Sequence, residues 1–428
     1  MFSRRFFLKA GGLALFTAGA GGIPSFVAKA AQSRKIYQPY KKNKVLVCIF
    51  QRGAMDGLMA VTPFNDSYLQ KARPGLMMSA AKAADHSLID LDGRFGLHPA
   101  MNAFEPLFRE KQLTIVHGVG SPNNTRSHFD AQDYMETGTP FNKGTSSGWL
   151  NRAVGLSGHD HTTPFRAVSM TPSLPRSFYG TNDAIAISNL EDFAIQPTGN
   201  ADSSISSEKD FKELYSKDSS LLLNSTAKET FEAAKLIRGA DVKNYQPSGG
   251  VVYPLSALGK SLRQIAQLVK MNVGLEIAFA ECSGWDTHFN QGTAAGTFSR
   301  SASDLSNAIA AFWKDIESYQ DDVELMTMTE FGRTVHQNGT NGTDHGRASC
   351  MFIVGNDIKG GIVHGTVPEL SMENLEDHRD LPVTTDFRAV FNEVATNHLK
   401  IKDDGTLFPG WKGNNVGMFQ QYLTAVQT

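Results

Sequence analysis

The chain has 428 residues, which is enough for one large α/β domain or two ordinary domains. Hydrophobic residues make up 41% of it and charged residues 20%, the composition of a soluble globular protein. The formal net charge of −2 gives no overall attraction to nucleic acid or to an anionic membrane, so we expect no nucleic-acid partner.

The N-terminal segment has the pattern of an export signal. Paired arginines precede a mildly apolar stretch, residues 11–27, and a small-x-small cleavage site follows. This pattern resembles a twin-arginine signal; the alternative is an amphipathic or anchoring helix. Because the stretch is glycine-rich and shorter than the roughly 20 residues that span a bilayer, we expect no stable membrane insertion. We predict a signal peptide over residues 1–30, the twin-arginine translocase as a partner during export, and a periplasmic or extracellular domain over residues 31–428.

The three cysteines argue against several cofactors. Cys48, Cys282 and Cys350 each lie within or beside an apolar run, and no Cys-x-x-Cys motif is present. Iron–sulfur, haem-attachment and zinc-ribbon sites therefore have no support. We expect buried, unpaired cysteines.

The first predicted strand leads to a candidate metal ligand. Residues 45–50 form a continuous apolar run that suits a parallel strand covered on both faces, and a glycine-bracketed turn containing Asp56 follows it. Ligand crevices of open α/β sheets lie at the carboxyl ends of strands, so Asp56 is placed as a metal ligand. The alternative is that Asp56 caps a helix. Farther along, His98 and Pro99 begin a predicted helix.

The next strand, residues 113–119, is followed by hydroxyl side chains at a predicted helix start. Thr125 or Ser127 could be a nucleophile there, because backbone N–H groups and the helix dipole stabilise an anion. Either could instead cap the helix, with Asp130 as its acidic partner. Arg126 could bind a substrate anion or pair with Asp130.

The middle of the chain alternates short strands with a polar segment. Two short strands are followed by a stretch rich in Ser, Asp and Lys and then by two helical patterns, which predict an insertion over about residues 198–272 that packs over the sheet or its rim. The predicted strands are 165–170 and 184–187, and the predicted helices are 226–237 and 255–269.

Two later strands deliver further Asp, His, Glu and Arg side chains. The run 275–280 precedes Asp286 and His288, which lie on the same side of an extended segment and can reach one ion. After a long predicted helix, the run 323–330 ends in Glu330 and is followed by Arg333.

The pair Asp344 and His345 completes the set. It offers a carboxylate oxygen and an imidazole nitrogen, the ligands that Zn²⁺ or Mn²⁺ accepts, and Gly346 would let the backbone turn tightly beside an ion. A last core strand follows at residues 349–354. Strands alternating with helices predict an α/β fold with a doubly wound, mostly parallel sheet sandwiched by helices.

These motifs resemble a known family. The order of the polar clusters is similar to that of the alkaline phosphatase and sulfatase superfamily. The motifs themselves resemble a group of exported bacterial proteins, the domain of unknown function DUF1501, over nearly the whole mature chain. They are Arg52-Gly-Ala-Met-Asp-Gly57, Gly96-Leu-His-Pro99, Ser127-His-Phe129, Gly284-Trp-Asp-Thr-His288, Glu330-Phe-Gly-Arg333 and Asp344-His-Gly346.

The resemblance implies an alkaline phosphatase-like domain with two metal ions. Asp56, Asp344 and His345 would bind one divalent ion, with Zn²⁺ or Mn²⁺ favoured and Ca²⁺ as an alternative. Asp286 and His288 would bind the second. His364 is a candidate final ligand or an ordinary loop histidine, Arg126 or Arg333 would neutralise charge on the substrate, and further candidates are His98, His128 and Glu330.

The resemblance also implies a hydrolase of phosphate or sulfate esters, whose substrate would be a small-molecule or polymer ester. No Cys-x-Pro-x-Arg or Ser-x-Pro-x-Arg stretch is present, so the formylglycine of sulfatases has no precursor. Because Asn124, Thr125 and Ser127 compete for the place of the nucleophile, a non-catalytic envelope protein that binds metal or a partner is the alternative. A cofactor oxidoreductase is disfavoured by the lack of a Gly-x-Gly-x-x-Gly turn after the first strand.

Overall fold

Ten strands form one mixed sheet in the computed structural model of the protein. The structure describes residues 13–15, 43–80, 86–157, 163–190 and 242–420. The strands are β1 (Leu13–Leu15), β2 (Val45–Gln51), β3 (Val61–Pro63), β4 (Ile89–Asp90), β5 (Phe95–Leu97), β6 (Leu113–Gly120), β7 (Ala167–Ser169), β8 (Ile185–Ile187), β9 (Ile277–Cys282), β10 (Val323–Met328), β11 (Ser349–Val354), β12 (Val363–His364) and β13 (Thr385–Asp386).

The α-helices of the described residues connect these strands. They are α1 (Gly57–Ala60), α2 (Ser67–Ala72), α3 (Phe104–Arg109), α4 (His128–Thr137), α5 (Trp149–Leu156), α6 (Ala257–Met271), α7 (Thr297–Asp315) and α8 (Phe387–Asn397). Within the described part of the chain, no helix combines the length and apolar character needed to cross a membrane.

The sheet is mostly parallel, as the sequence predicts. Its order is β1-β8-β7-β9-β2-β10-β11-β6-β12, and β13 also pairs with β6; β3, β5 and β4 form a separate small sheet. In the large sheet, β11 is antiparallel to both of its neighbours and β1 is antiparallel to β8, whereas the other pairs are parallel. The α/β fold class is therefore confirmed, with the direction of β11 as a feature that the sequence did not show.

Helices cover both faces of the sheet. Along β2, Val45, Val47 and Ile49 face one apolar core, which α6 and α7 share. Leu46, Cys48 and Phe50 face the other core, to which α5 and α8 contribute. The continuous apolar run of β2 follows from this arrangement, because both faces of the strand are buried.

Two predicted segments lie largely outside the described residues. Of the predicted signal peptide, only β1 is described, and it pairs with β8 at the edge of the sheet. Of the predicted insertion over about residues 198–272, the part that includes the predicted helix 226–237 lies outside the described residues. Its last helix, α6, packs against the core of the sheet.

Candidate metal centre

The carboxyl ends of four strands meet at one edge of the sheet. β2, β6, β9 and β10 run in the same direction, because β11 lies between β6 and β10 and is antiparallel to both. For the same reason, the segment that leads into β11 reaches this edge from the opposite direction. The loops after four strands and the loop before a fifth thus bring their polar side chains together.

Three imidazole rings and one carboxylate converge at this edge. Nε2 of His345 lies 2.8 Å from Nε2 of His288 and 3.0 Å from Nε2 of His128. One oxygen of Asp286 lies 3.1 Å from Nε2 of His288 and 3.4 Å from Nε2 of His345. The other oxygen lies 3.5 Å from Nε2 of His128. We call these four side chains the His₃Asp centre.

The second nitrogen of each ring has a fixed oxygen partner at 2.8 Å. These partners are Oε1 of Glu330 for His128, Oδ1 of Asp344 for His288, and the backbone oxygen of Arg126 for His345. Carboxylate and carbonyl oxygens only accept hydrogen bonds, so each Nδ1 carries the proton. In the neutral form that metal binding requires, each ring would direct the lone pair of its Nε2 atom into the centre.

This donor set fits a divalent metal ion. Three lone pairs and a carboxylate that face one another repel unless a cation lies between them. Ligand atoms in a tetrahedral zinc site with bonds of about 2.0–2.1 Å lie about 3.3 Å apart, close to the five separations given above. His128, Asp286 and His345 each offer a ligand atom within 4.8 Å of the others. Proteins orient metal-bound histidines by oxygen acceptors on the second nitrogen, and all three rings have one.

A buried arginine holds the carboxylate of the centre in place. Arg333 is fully covered and donates a hydrogen bond of 2.5 Å to Oδ1 of Asp286. Its other donors bond to the backbone oxygens of Gly53, Ala54, Thr343 and Trp285. Burial alone would raise the pKa of Asp286, but the hydrogen bond and charge of Arg333 lower it, so the carboxylate stays ionised. Arg333 thus positions a ligand, which corrects the prediction that it neutralises charge on the substrate.

Glu330 is the buried anchor of His128. Besides the imidazole, its Oε1 accepts hydrogen bonds from Gln132 and from the backbone N–H of Gly53, both at 2.9 Å. Burial would raise the pKa of Glu330, but these donors lower it and keep the group ionised. Gly53 has φ +115°, and a Cβ there would lie 2.7 Å from the backbone nitrogen of Asp286. Only glycine fits this close approach.

Asp344 lies outside the ring of ligand atoms. Its Oδ1 accepts hydrogen bonds from Nδ1 of His288 and from Nδ2 of Asn338. It therefore orients His288 instead of acting as the direct ligand that the family resemblance implied. Gly346 permits a close approach of two loop segments, because a Cβ there would lie 2.4 Å from the carbonyl carbon of Arg333.

Asp56 caps a helix, which was the alternative to its predicted role as a metal ligand. Its Oδ1 caps α1 by accepting from the backbone N–H of Met59. Arg73 makes a bidentate pair with it, at 2.7 and 3.1 Å, and Gln291 donates to its second oxygen. The side chain is buried. Each carboxylate oxygen of Asp56 thus already accepts two hydrogen bonds. The implied ion shared by Asp56, Asp344 and His345 therefore does not fit this structure.

Two candidate histidines also have other surroundings. Burial lowers the pKa of His98 to about 4, and the ring bonds to the backbone oxygen of Thr293 and caps the turn at Pro99–Met101. His364 lies on β12 beside β6. Burial lowers the pKa of His364. Neither ring nitrogen of His364 is among the ligand atoms described above. Neither histidine belongs to the His₃Asp centre.

The two candidate nucleophiles in the segment before α4 differ in their hydrogen bonds. Oγ1 of Thr125 accepts a hydrogen bond from the backbone N–H of Ser127. Ser127 is exposed and precedes His128, and its side chain makes no capping hydrogen bond. Arg126 pairs with Asp377 and Asp380, at 2.7 and 2.6 Å. Of the two alternatives for Arg126, the pair with Asp130 is not formed, and two acidic side chains distant in the sequence take its place.

One protein family matches most of the chain. The family described as "Protein of unknown function (DUF1501)" matches residues 13–409 of the chain. The chain belongs to the DUF1501 family. A comparison with curated proteins finds no match.

Several solved structures are distantly similar to this DUF1501 protein. They include the C-terminal periplasmic domain of EcEptC from Escherichia coli in complex with Zn, with a TM-score of 0.36, 10% identity, and coverage of 74% of each chain. The lipoteichoic acid synthase LtaP from Listeria monocytogenes has a TM-score of 0.32 and 10% identity over 82% of this chain and 71% of its own. The PsFucS1 sulfatase from Pseudoalteromonas sp. has a TM-score of 0.37 and 11% identity over 93% and 76%.

In the sequence of this DUF1501 chain, His128 is only a further candidate, and neither Arg73 nor Asn338 stands out. His128 begins a helix directly after a strand, and the Ser-His-Phe motif is the signal that pointed to it. Arg73 lies in no motif, and its pairing with Asp56 depends on the tertiary fold. Asn338 lies in the polar loop whose composition alone did not distinguish it from other surface loops.

Proposed function

We propose that this DUF1501 protein is a metal-dependent hydrolase of phosphate or sulfate esters with a single-ion site. The observation that carries the proposal is the convergence of three Nε2 lone pairs and the Asp286 carboxylate at the carboxyl edge of the sheet. His128, Asp286, His288 and His345 would hold the ion. When bound there, a divalent ion supplies Lewis acidity, which polarises an ester oxygen and lowers the pKa of a bound water.

The donor set favours Zn²⁺, with Mn²⁺ next. Imidazole nitrogens suit both ions, whereas Ca²⁺ prefers six to eight oxygen ligands. Three of the four proposed ligand atoms are imidazole nitrogens, so this donor set disfavours Ca²⁺, the alternative ion. A second ion of the kind implied by the family resemblance would need Asp56, which already pairs with Arg73. The proposal is therefore for one ion.

The charges around the centre favour a singly charged ester. Arg333 pairs with the ligand Asp286, and Arg126 and Arg379 pair with Asp380. These guanidinium groups are thus already neutralised by carboxylates. Asp286, Glu330 and Asp344 together carry three negative charges, because the pKa of each is lowered, and Arg333 with one divalent ion carries three positive charges. A doubly charged phosphate monoester would therefore leave more unbalanced negative charge at the centre than a singly charged ester. Sulfate monoesters and phosphate diesters carry a single negative charge and fit better.

Exposure of the centre supports catalysis over a purely structural ion. The side chains of His288 and Asp286 are 41% and 47% exposed, so a substrate can reach the ligand atoms. Structural zinc sites are closed, whereas catalytic sites keep one position open. Four protein ligands favour the second candidate, a non-catalytic metal-binding protein, because they would fill a tetrahedral site. Catalysis would then require a fifth ligand position, which zinc can adopt in the transition state.

The activity test compares three p-nitrophenyl esters. Metal-loaded wild-type protein is incubated with p-nitrophenyl sulfate, bis(p-nitrophenyl) phosphate and p-nitrophenyl phosphate, beside a His345→Ala variant of equal purity. The proposal expects turnover of at least one of the two singly charged esters, which exceeds turnover of the doubly charged ester and is lost in the variant. Metal-loaded wild type that hydrolyses none of the three would favour the non-catalytic candidate.

Export by the twin-arginine pathway is part of the proposal. The paired arginines near the N-terminus support it, and a route that carries folded proteins would allow the proposed ion to be loaded before export. Replacing both, Arg4→Lys and Arg5→Lys, should retain the protein in the cytoplasm when cell fractions are compared. An unchanged distribution would contradict the proposed route and leave the hydrolase proposal standing.

A further inference from the structure

Two phenylalanine side chains lie exposed beside the His₃Asp centre. Phe129 is 89% exposed and Phe289 is 67% exposed. Each directly follows a histidine of the centre, His128 or His288. Single apolar residues scattered over a surface are normal and need no explanation. Two large rings, each one residue from a proposed ligand of the same centre, are not scattered over the surface.

The backbone beneath both rings is held in place. The first ring lies in the first turn of α4, directly after its first residue. The second ring follows His288, whose backbone oxygen accepts hydrogen bonds from Nδ2 of Asn338 and Oγ1 of Thr340, both at 2.8 Å. A pre-organised aromatic surface binds a ligand at lower entropic cost than a mobile one.

A third phenylalanine ring packs against the centre from its buried side. Phe331 is buried, and its ring centroid lies 4.9 Å from that of His128 and 5.0 Å from that of His345. Aromatic packing on the protein side thus fixes these imidazoles. The two exposed rings have no such role in the core, so their exposed area is available to a ligand.

We infer that Phe129 and Phe289 bind the organic group of the ester, and that this group presents a flat apolar face, as an aryl or pyranosyl ring does. This inference rests on the proposed hydrolase function and adds a substrate class to it. A rigid ring packs one face against an aromatic side chain over a large area. An open chain of similar size loses more rotational freedom when it binds.

The test compares three singly charged sulfate esters that differ only in the organic group: methyl sulfate, phenyl sulfate and glucose 6-sulfate. Their affinities for the zinc-loaded, full-length mature protein are measured by calorimetry. The variants are Phe129→Ala and Phe289→Ala, and Phe141→Ala is the matched control. Phe141 is 71% exposed but follows the far end of α4, a ten-residue helix about 15 Å long.

Wild-type protein should bind phenyl sulfate, glucose 6-sulfate or both about tenfold more tightly than methyl sulfate, since a ring contact buries roughly 50 Å² of apolar area. The ratio of the affinities for the cyclic ester and for methyl sulfate should fall toward one in Phe129→Ala and Phe289→Ala. It should stay at the wild-type value in Phe141→Ala, with metal content equal in all four proteins. The two cyclic esters distinguish an aryl from a sugar ligand.

Two results would overturn the inference, and they are distinguishable. Equal affinity of wild-type protein for all three esters, or a preference that survives both substitutions, removes the role of the phenylalanines and leaves the hydrolase proposal intact. If zinc-loaded wild type binds none of the three sulfate esters, the inference falls, and turnover of bis(p-nitrophenyl) phosphate by the same preparation decides separately whether the hydrolase proposal stands.

Discussion

Nδ1 of His128 lies 2.8 Å from Oε1 of the buried Glu330. The carboxylate accepts, so the imidazole donates from Nδ1 and keeps Nε2 free to bind an ion. Comparable acceptors fix His288 and His345. The oxygen acceptors of Glu330, Asp344 and Arg126 therefore set the tautomer of every proposed histidine ligand.

The first prediction tests the hydrogen bond from His128 to Glu330. Glu330→Gln removes the negative charge that holds His128, so zinc affinity should fall about 10- to 100-fold. Competition with a chelating dye measures the affinity. Asp377→Asn is the control, because Asp377 is an exposed acidic partner of Arg126 and contacts no ring of the centre. Equal zinc affinity of the Glu330→Gln variant and wild-type protein would contradict the assigned role of Glu330.

The second prediction separates Asp56 from the ligands. Asp56→Asn leaves the buried Arg73 without its charged partner and should destabilise the protein by about 3 kcal/mol, while zinc content stays at the wild-type level. Urea unfolding of the metal-free protein and elemental analysis measure the two quantities. Loss of zinc from a variant that is still folded would restore Asp56 as a ligand.

The third prediction concerns the nucleophile. Ser127 is exposed and lacks a capping bond, whereas the hydroxyl of Thr125 already accepts from a backbone N–H group. If a hydroxyl attacks the ester, Ser127→Ala should lower kcat about 100-fold or more, and Thr125→Val should change it only a few-fold. Both variants should retain zinc. Full kcat in both would indicate that water attacks the ester directly.

The fourth prediction is a pH dependence of stability away from the centre. Burial raises the pKa of Glu324 well above its usual value, and burial lowers the pKa of the neighbouring His398 to about 3. Nε2 of His398 lies 3.0 Å from the backbone oxygen of Val45, and its Nδ1 lies 3.4 Å from Oε2 of Glu324. Nδ1 can therefore accept from a protonated Glu324.

Because the folded-state pKa of Glu324 is raised, the unfolded chain loses this proton first. The stability of wild-type protein should therefore fall as pH rises above about 4.5, until the folded carboxyl also ionises, relative to Glu324→Gln. The difference in unfolding free energy should grow by up to about 1.4 kcal/mol per pH unit. His398 is present in both proteins, so its own titration largely cancels. Glu317→Gln, at an exposed position, is the control, and a pH-independent difference for Glu324→Gln would contradict a neutral buried carboxyl.

Local sequence signals were enough to predict most of the fold. The strand at residues 349–354 has the predicted bounds, and the run 45–50 lies within β2, because continuous apolar runs are typical of strands covered on both faces. The antiparallel direction of β11 was not predictable from its composition. It depends on the loop between β10 and β11, which returns the chain to the same edge of the sheet.

The centre was predictable in part for a similar reason. Asp286, His288 and His345 follow or precede core strands, and strand ends identify an edge of the sheet. The separation of ligands from their supporting residues was not predictable. Asp344 supports a ring, Asp56 pairs with Arg73, and both assignments depend on contacts between segments distant in the sequence.

Elemental analysis of the mature protein, purified without chelator, tests the central claim most directly. Wild-type protein should contain one equivalent of Zn²⁺ or Mn²⁺, and the double variant Asp286→Ala/His345→Ala should contain none while retaining its circular dichroism spectrum. A wild-type protein that stays metal-free after incubation with excess Zn²⁺ and Mn²⁺, or a double variant that binds as much metal as wild type, would contradict the His₃Asp centre.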